Sequence, residues 1–315
     1  MELKPIPTRD GFGEEIAALG KANKNIVMVS ADLEDATRAD YFKKVAPERF
    51  FSMGIAEQDM IGMAAGLASE GFVAVTNSFA VFLTNRAYDE IRMDVCYNDL
   101  NVKLVATHAG VTVGEDGASA QCLEDLAIMR VLPNMKVLVP VDTIEAKKAT
   151  RAMIAEKGPF YIRLSRAPMP IVTKEEDPFI VGKANILRDG KDVTVVACGQ
   201  QVSEGLSAAT ELAKEGISVR VVNVHTIKPL DVETLVKCAR ETGAIVTAED
   251  HQINGGLGSA VAEALVQACP APVEMVAVRD SFGQTGTPDQ LLQHYHLKAA
   301  DIVAAVRKVL ARKKA

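Results

Sequence analysis

Val102-Lys103-Leu104-Val105-Ala106-Thr107 runs directly into His108-Ala109-Gly110-Val111-Thr112-Val113-Gly114-Glu115-Asp116-Gly117, and the change of character at residue 107 decides the fold. The first six residues are mostly apolar and β-branched. They read as a strand buried on both faces, as in a parallel sheet, rather than one with a face to water. The residues that follow are polar and glycine-rich, a loop at the strand's carboxyl end, where parallel α/β sheets bind ligands.

The same alternation extends outward in both directions. Strand-like runs lie at 26–30, 73–76, 136–139 and 160–164, and helical patterns at 10–22, 57–70, 84–94, 122–131 and 143–156. This interleaving predicts α/β layering. It breaks where Pro168, Pro170, Pro178, the Lys174-Glu175-Glu176-Asp177 cluster and Gly190 give linker composition. It then restarts, with strands at 193–197, 219–224, 244–247 and 273–278 and helices at 201–215, 231–242, 257–269 and 299–311. The expectation is two α/β domains, 1–170 and 191–315, joined by a linker over 171–190. A length of 315 residues suits two units of roughly 150.

Composition narrows the function. A net charge of −6 argues against a nucleic-acid or anionic-membrane surface. The one basic run, Arg312-Lys313-Lys314, reads as a solvated end. Five cysteines, odd in number and widely spaced, suggest neither a zinc site nor a disulfide framework, and point to a reducing compartment. Residues 1–10 carry charges and two prolines and do not read as a signal peptide. No apolar stretch reaches the length of a membrane span. A cytoplasmic protein is the expectation.

Four segments carry candidate chemistry. Glu57 opens a helix apolar almost all round, so its carboxyl group needs a partner or a proton, although an acid at a helix start is also favoured by the dipole alone. Phe79 and Phe82 lie three apart after a strand, suited either to core packing or to stacking on a ring. His108 stands at a strand end before the glycine-rich loop. Arg166 also follows a strand, where a guanidinium suits a phosphate but equally a surface position. No single segment decides the matter; their order and joint spacing do.

With SADL at 30–33, GIAEQ at 54–58, SFAVF at 78–82, THAGVTVGEDG at 107–117, LPNMKVLVPVD at 132–142, LSR at 164–166, TIKPLD at 226–231, TAEDHQINGGLGSAVAE at 247–263 and DSFGQTG at 280–286, the chain resembles the transketolase family of thiamine-diphosphate enzymes. The resemblance covers nearly all 315 residues. It implies a pyrimidine-binding α/β domain followed by a transketolase C-terminal α/β domain. By it, Glu57 hydrogen-bonds a nitrogen of the cofactor's aminopyrimidine ring, Phe79 and Phe82 form the ring's aromatic pocket, and Asp32 lines the cofactor site. Arg9, Ser30, His108 and Arg166 fall at sugar-phosphate contacts, and Asp116 meets a substrate hydroxyl. Glu57 and His108 are the catalytic candidates. The implied activity is transfer of a two-carbon ketol unit from a ketose phosphate to an aldose phosphate, as in the pentose phosphate pathway.

Two positions depart from the family pattern. Asn85 stands where a tyrosine is usual, and Ala120 where a histidine usually follows the GEDG run. An imidazole there is worth roughly 10²–10⁴-fold in rate as an acid or base. The GDG-to-asparagine segment that holds magnesium and the cofactor's diphosphate is also missing from the sequence. The resemblance therefore implies an N-terminal transketolase subunit as partner, carrying Mg²⁺ and the diphosphate, with two chains of each kind in a heterotetramer. Ile253-Asn254-Gly255-Gly256-Leu257-Gly258 reads as a turn and helix start rather than a phosphate nest. The competing readings are a 2-oxoacid dehydrogenase decarboxylase β subunit, which needs no phosphate contacts, and a non-catalytic regulatory paralogue.

Overall fold

The computed structural model describes residues 4–313. The expected bounds at Met1 and Ala315, and Lys314 of the basic run, lie outside the described residues. The strands are β1 (Ile26–Ser30), β2 (Phe50–Ser52), β3 (Val73–Phe79), β4 (Val102–Thr107), β5 (Lys136–Leu138), β6 (Phe160–Arg163), β7 (Asn185–Arg188), β8 (Val193–Ala197), β9 (Val219–Asn223), β10 (Thr226–Lys228), β11 (Ile245–Gln252) and β12 (Val273–Val278). They form a seven-stranded sheet in the order β10-β5-β6-β4-β3-β1-β2 and a five-stranded sheet in the order β12-β11-β8-β9-β7. Pairing is parallel throughout, except that β10 and β7 run antiparallel to their neighbours.

The largely apolar strands are buried on both faces because helices cover both. Met28, Val75, Val105 and Ile162 face one way, against Phe12, Ile16 and Met153 of helices Thr8–Ala22 and Thr143–Ala155. Their neighbours Val27, Val29, Leu104 and Tyr161 face the other, against Met60 and Ile61 of helix Glu57–Ser69. Each fully buried aliphatic or phenylalanine side chain contributes about 2 kcal/mol. The second of these cores runs on into Val196, Val222 and Ile227 of the second domain, so the two units share apolar packing.

Two features correct the sequence reading. The stretch read as linker ends in a strand, β7, which edges the second sheet. Residues Thr226–Lys228, assigned to the second domain, cross over to pair with β5 and extend the first sheet. Both are edge strands of three or four residues, too short for a period to declare itself, and Pro229 follows the second, as edge positions allow. The helix expected over 84–94 is broken into Ala80–Arg86, Tyr88–Glu90 and a π-helical turn, Ile91–Cys96. Short helices at Glu34–Thr37, Asp40–Val45 and Pro288–His294, and strand β2, were not apparent from the sequence pattern. Among the described residues, no helix is long and apolar enough to cross a membrane.

Candidate active site

The candidate residues collect at the carboxyl ends of β1, β3, β4 and β6. Register brings them there: Ser30 pairs with Asn77, and Phe79 with Thr107. His108, one residue past β4, has φ +58°, a left-handed conformation that histidine tolerates better than most residues. The turn lays its imidazole flat on Phe79, with ring centroids 3.7 Å apart and planes at 20°. Phe79 in turn stacks on Phe82 at 5.6 Å.

His108 is 2 % exposed. Its Nδ1 lies 2.8 Å from the Thr107 hydroxyl, and its Nε2 lies 3.3 Å from Arg9 Nη1. Burial, and then the positive charges of Arg9, Arg166 and Arg38, hold the imidazole pKa down to about 3. Arg9 is itself lowered, by burial first and Arg38 second, and its Nε is buried with no hydrogen-bond partner. Arg9 Nη1 donates to the carbonyl of Ala36 at 2.7 Å. Arg38 is already paired with Asp10 at 2.6 Å and Arg166 lies 3.3 Å from Glu115, so Arg9, beside the buried neutral ring, is the cation left for an anion to meet.

Helix Thr8–Ala22 is fixed beside the end of β6 by a reciprocal pair. Thr8 N–H donates to Ser165 Oγ at 3.1 Å, and Ser165 N–H donates to Thr8 Oγ1 at 2.7 Å. Arg9 and Arg166 are the next residue along in each segment, so this clamp sets both guanidiniums. Arg166 donates to the carbonyl of Val113, reaches Glu115 Oε2 at 3.3 Å, and lies 3.7 Å from Asp116 Oδ1.

Glu57 is 4 % exposed, at the first turn of its helix. Its partner is Arg86, which the sequence did not single out. Arg86 Nη1 donates to both carboxylate oxygens, at 3.0 and 3.1 Å, and its guanidinium carbon sits 4.1 Å from the centre of the Phe82 ring. Asn85 points away, donating to Glu124 Oε1 at 2.8 Å. Ser30 is fully buried, with no partner for its hydroxyl. Asp32 is exposed at φ +59°, and among the described residues its side chain hydrogen-bonds none of the other candidates. The structure therefore joins Arg9, His108, Phe79 and Phe82 in one chain of contacts, Glu57 to that chain through Arg86, and Arg166 to Asp116. Among the described residues, the side chains of Ser30 and Asp32 make no hydrogen bond to these groups.

The second domain grips the glycine-rich loop. Asp250 accepts from Val111 N–H and from the Thr112 hydroxyl, both at 2.9 Å. Gln121 Nε2 donates to the carbonyl of Gln284 at 2.9 Å. Gly110 has φ +80°, and a Cβ on it would meet Asp250 Oδ2 at 2.1 Å, so only glycine fits the close approach. At 253–258 the amides of Leu257 and Gly258 donate to the buried Glu249 carboxylate at 2.7 and 2.8 Å. The helix start therefore receives the chain's own anion, in keeping with the structural reading of that segment.

Residues 4–171 match the model of the transketolase pyrimidine-binding domain, and residues 182–302 that of the transketolase C-terminal domain. The chain is 45 % identical over 301 residues to a putative transketolase C-terminal section of Methanocaldococcus jannaschii, covering 95 % of this chain and 94 % of that protein. It is 43 % identical over 305 residues to the 6-deoxy-6-sulfo-D-fructose transketolase subunit SqwH of Clostridium sp. (strain MSTE9), covering 97 % and 95 %. A solved split-gene transketolase, an inactive beta4 tetramer, is 47 % identical, with a TM-score of 0.90 over 98 % of this chain and 99 % of that one. The chain belongs to the transketolase family, as the section that joins its pyrimidine-binding domain to its C-terminal domain.

Proposed function

We propose that this chain is the pyrimidine-side subunit of a two-part transketolase, moving a two-carbon ketol unit from a ketose phosphate to an aldose phosphate. The observation that carries the sugar-phosphate reading is the cluster of Arg9, Arg166 and Arg38 around the buried neutral His108. A simple 2-oxoacid such as pyruvate carries its one anion, the carboxylate, beside the reacting carbonyl and has none at a far end to meet such a cluster. The 6-deoxy-6-sulfo-D-fructose named for the Clostridium relative also ends in an anion, and supports the same chemistry at the far end of the sugar.

The family depends on thiamine diphosphate, and the residues present fit its aminopyrimidine. Glu57 offers a buried carboxylate whose two oxygens share one N–H donor group, beside the Phe82 face, on which a flat, nitrogen-edged group already lies. Glu57, Phe79 and Phe82 would hold the ring, with Asp32 at its border. Bound there, the cofactor supplies the carbon nucleophile and electron sink that cleavage beside a carbonyl requires. In this reading Glu57 holds a proton at the ring nitrogen. Arg9, Ser30 and Arg166 bind the phosphate, Asp116 orients a hydroxyl, and His108 donates to or accepts from the sugar's oxygens. The diphosphate and Mg²⁺ fall to a second subunit, in an assembly with two copies of each chain. The buried Ala120 brings no proton-carrying group to the loop, so acid–base work there falls to His108 or to the second subunit.

The test is a two-carbon transfer assay on the chain combined with the subunit that carries the diphosphate-binding domain, run beside a pyruvate decarboxylation assay. Transfer between sugar phosphates is the expected result. Decarboxylation without transfer would overturn the proposal.

A further inference from the structure

The corner where Glu57 meets Phe82 is filled by the chain itself. Arg86 Nη1 alone reaches both carboxylate oxygens, at 3.0 and 3.1 Å, and the guanidinium carbon lies over the Phe82 ring at 4.1 Å. A guanidinium is flat, delocalised and edged with N–H donors. So is an aminopyrimidine in the form that donates to a carboxylate. The two groups compete for one carboxylate and one ring face. We propose that Arg86 is a displaceable occupant of the aminopyrimidine place, which keeps the Glu57 carboxylate paired until the cofactor's ring displaces it. The inference rests on the reading that Glu57 and Phe82 hold that ring.

Two further observations bear on how the exchange works. Arg86 ends the helix Ala80–Arg86 and its side chain is 47 % exposed, whereas that of Glu57 is 4 % exposed. The arginine is therefore the partner that can leave. Glu90, four residues on, receives Gln58 on Oε1 at 2.8 Å, while its Oε2 is buried without a partner. That oxygen is an acceptor for a displaced guanidinium. A carboxylate as enclosed as Glu57 is costly to leave alone, so a resident cation stabilises the free chain. A half-exposed ion pair and a cation–π contact are individually weak, so their displacement costs the cofactor only roughly tenfold in affinity.

The experiment is calorimetric titration of magnesium thiamine diphosphate, without substrate, into the chain combined with its diphosphate-binding subunit. Arg86→Ala is expected to bind roughly tenfold more tightly than the unmodified chain, and Arg86→Lys, which keeps the charge but not the flat group over Phe82, to fall between them. Unchanged or weaker binding by Arg86→Ala overturns the inference. Side-chain ¹⁵N spectra give a second measurement that needs no variant. The Arg86 guanidinium resonances should move from a paired to a solvent-like signature as cofactor is added, and their constancy would overturn it too. Glu57→Gln separates the two levels. Weakened binding by Glu57→Gln without tightening by Arg86→Ala sinks this inference alone, whereas binding indifferent to Glu57→Gln, or no binding by any form, sinks the reading beneath it as well.

Discussion

His108 lies face to face with Phe79, the ring centroids 3.7 Å apart, and this stack joins the aromatic side of the site to its cationic side. It follows from register, since Phe79 pairs with Thr107 across β3 and β4. The left-handed turn at residue 108 then folds the imidazole back over its neighbour. Replacing His108 with Asn keeps a polar group but loses the proton carrier, and should lower turnover by about 100-fold or more. The folded pKa of about 3 lies below the unfolded value of about 6.5. Between those values the unfolded chain binds the extra proton. This contribution to stability is therefore complete above about pH 6.5 and is lost as pH falls toward 3. Acid unfolding of His108→Asn, followed by circular dichroism, should be correspondingly shallower over that interval.

Glu57→Gln keeps the shape of the side chain and an oxygen for Arg86, but not the acid. With the complete enzyme, two-carbon transfer should fall by about 100-fold or more while the melting temperature changes little. Turnover equal to that of the unmodified protein would remove Glu57 from the chemistry.

Arg166→Ala removes one of the charges around His108. A charge-assisted hydrogen bond is worth about 1.5–3 kcal/mol, so KM for a phosphorylated sugar should rise roughly 10- to 100-fold. The same sugar without its phosphate should show almost no change. An equal loss for both substrates would place Arg166 elsewhere in the mechanism.

Glu145 ties the two domains, accepting from Val141 N–H at 2.7 Å and from Asn223 Nδ2 at 2.8 Å. Burial, reinforced by nearby Asp142, pushes its pKa up to about 8. The folded chain therefore holds a proton that the unfolded chain releases near the ordinary glutamate value, about 4.3. This stabilisation is complete below that value and is lost as pH rises through 8. In Glu145→Gln an amide can take the carboxyl group's place, donating to Asn223 Oδ1, which has no partner, once the Asn223 amide turns over. The melting temperature of Glu145→Gln should stay nearly flat from pH 6 to 9, while that of the unmodified chain declines.

Gly110→Ala meets two obstacles, φ +80° and the Asp250 carboxylate 2.1 Å from the new Cβ. Gly71→Ala meets only the first, since at φ +93° nothing lies within 4 Å of it. The first substitution should cost about 2 kcal/mol or more in urea unfolding and loosen the loop that carries Asp116. The second should cost clearly less. Equal losses would show that the Asp250 tether contributes nothing.

The sequence determined the layering of this protein. Runs such as 26–30 and 102–107 are apolar on both alternating sets of positions, broken only by Ser30, Lys103 and Thr107, which suits a strand covered on both faces, and the helical periods between them supply the cover. It also determined which side chains stand at the strand ends, because a residue one or two past a parallel strand is placed by the strand itself. Tertiary structure alone decided what those side chains meet. Arg86 reaches Glu57 across 29 residues, Arg38 adds its charge to His108 from the turn after helix Glu34–Thr37, and Asp250 arrives from the second domain. None of these partners leaves a local signal, since an ion pair or a tether between distant segments imposes no period on either. The edge strands β7 and β10 escaped for the same reason: three or four residues become a strand only when a neighbouring sheet offers them an open edge.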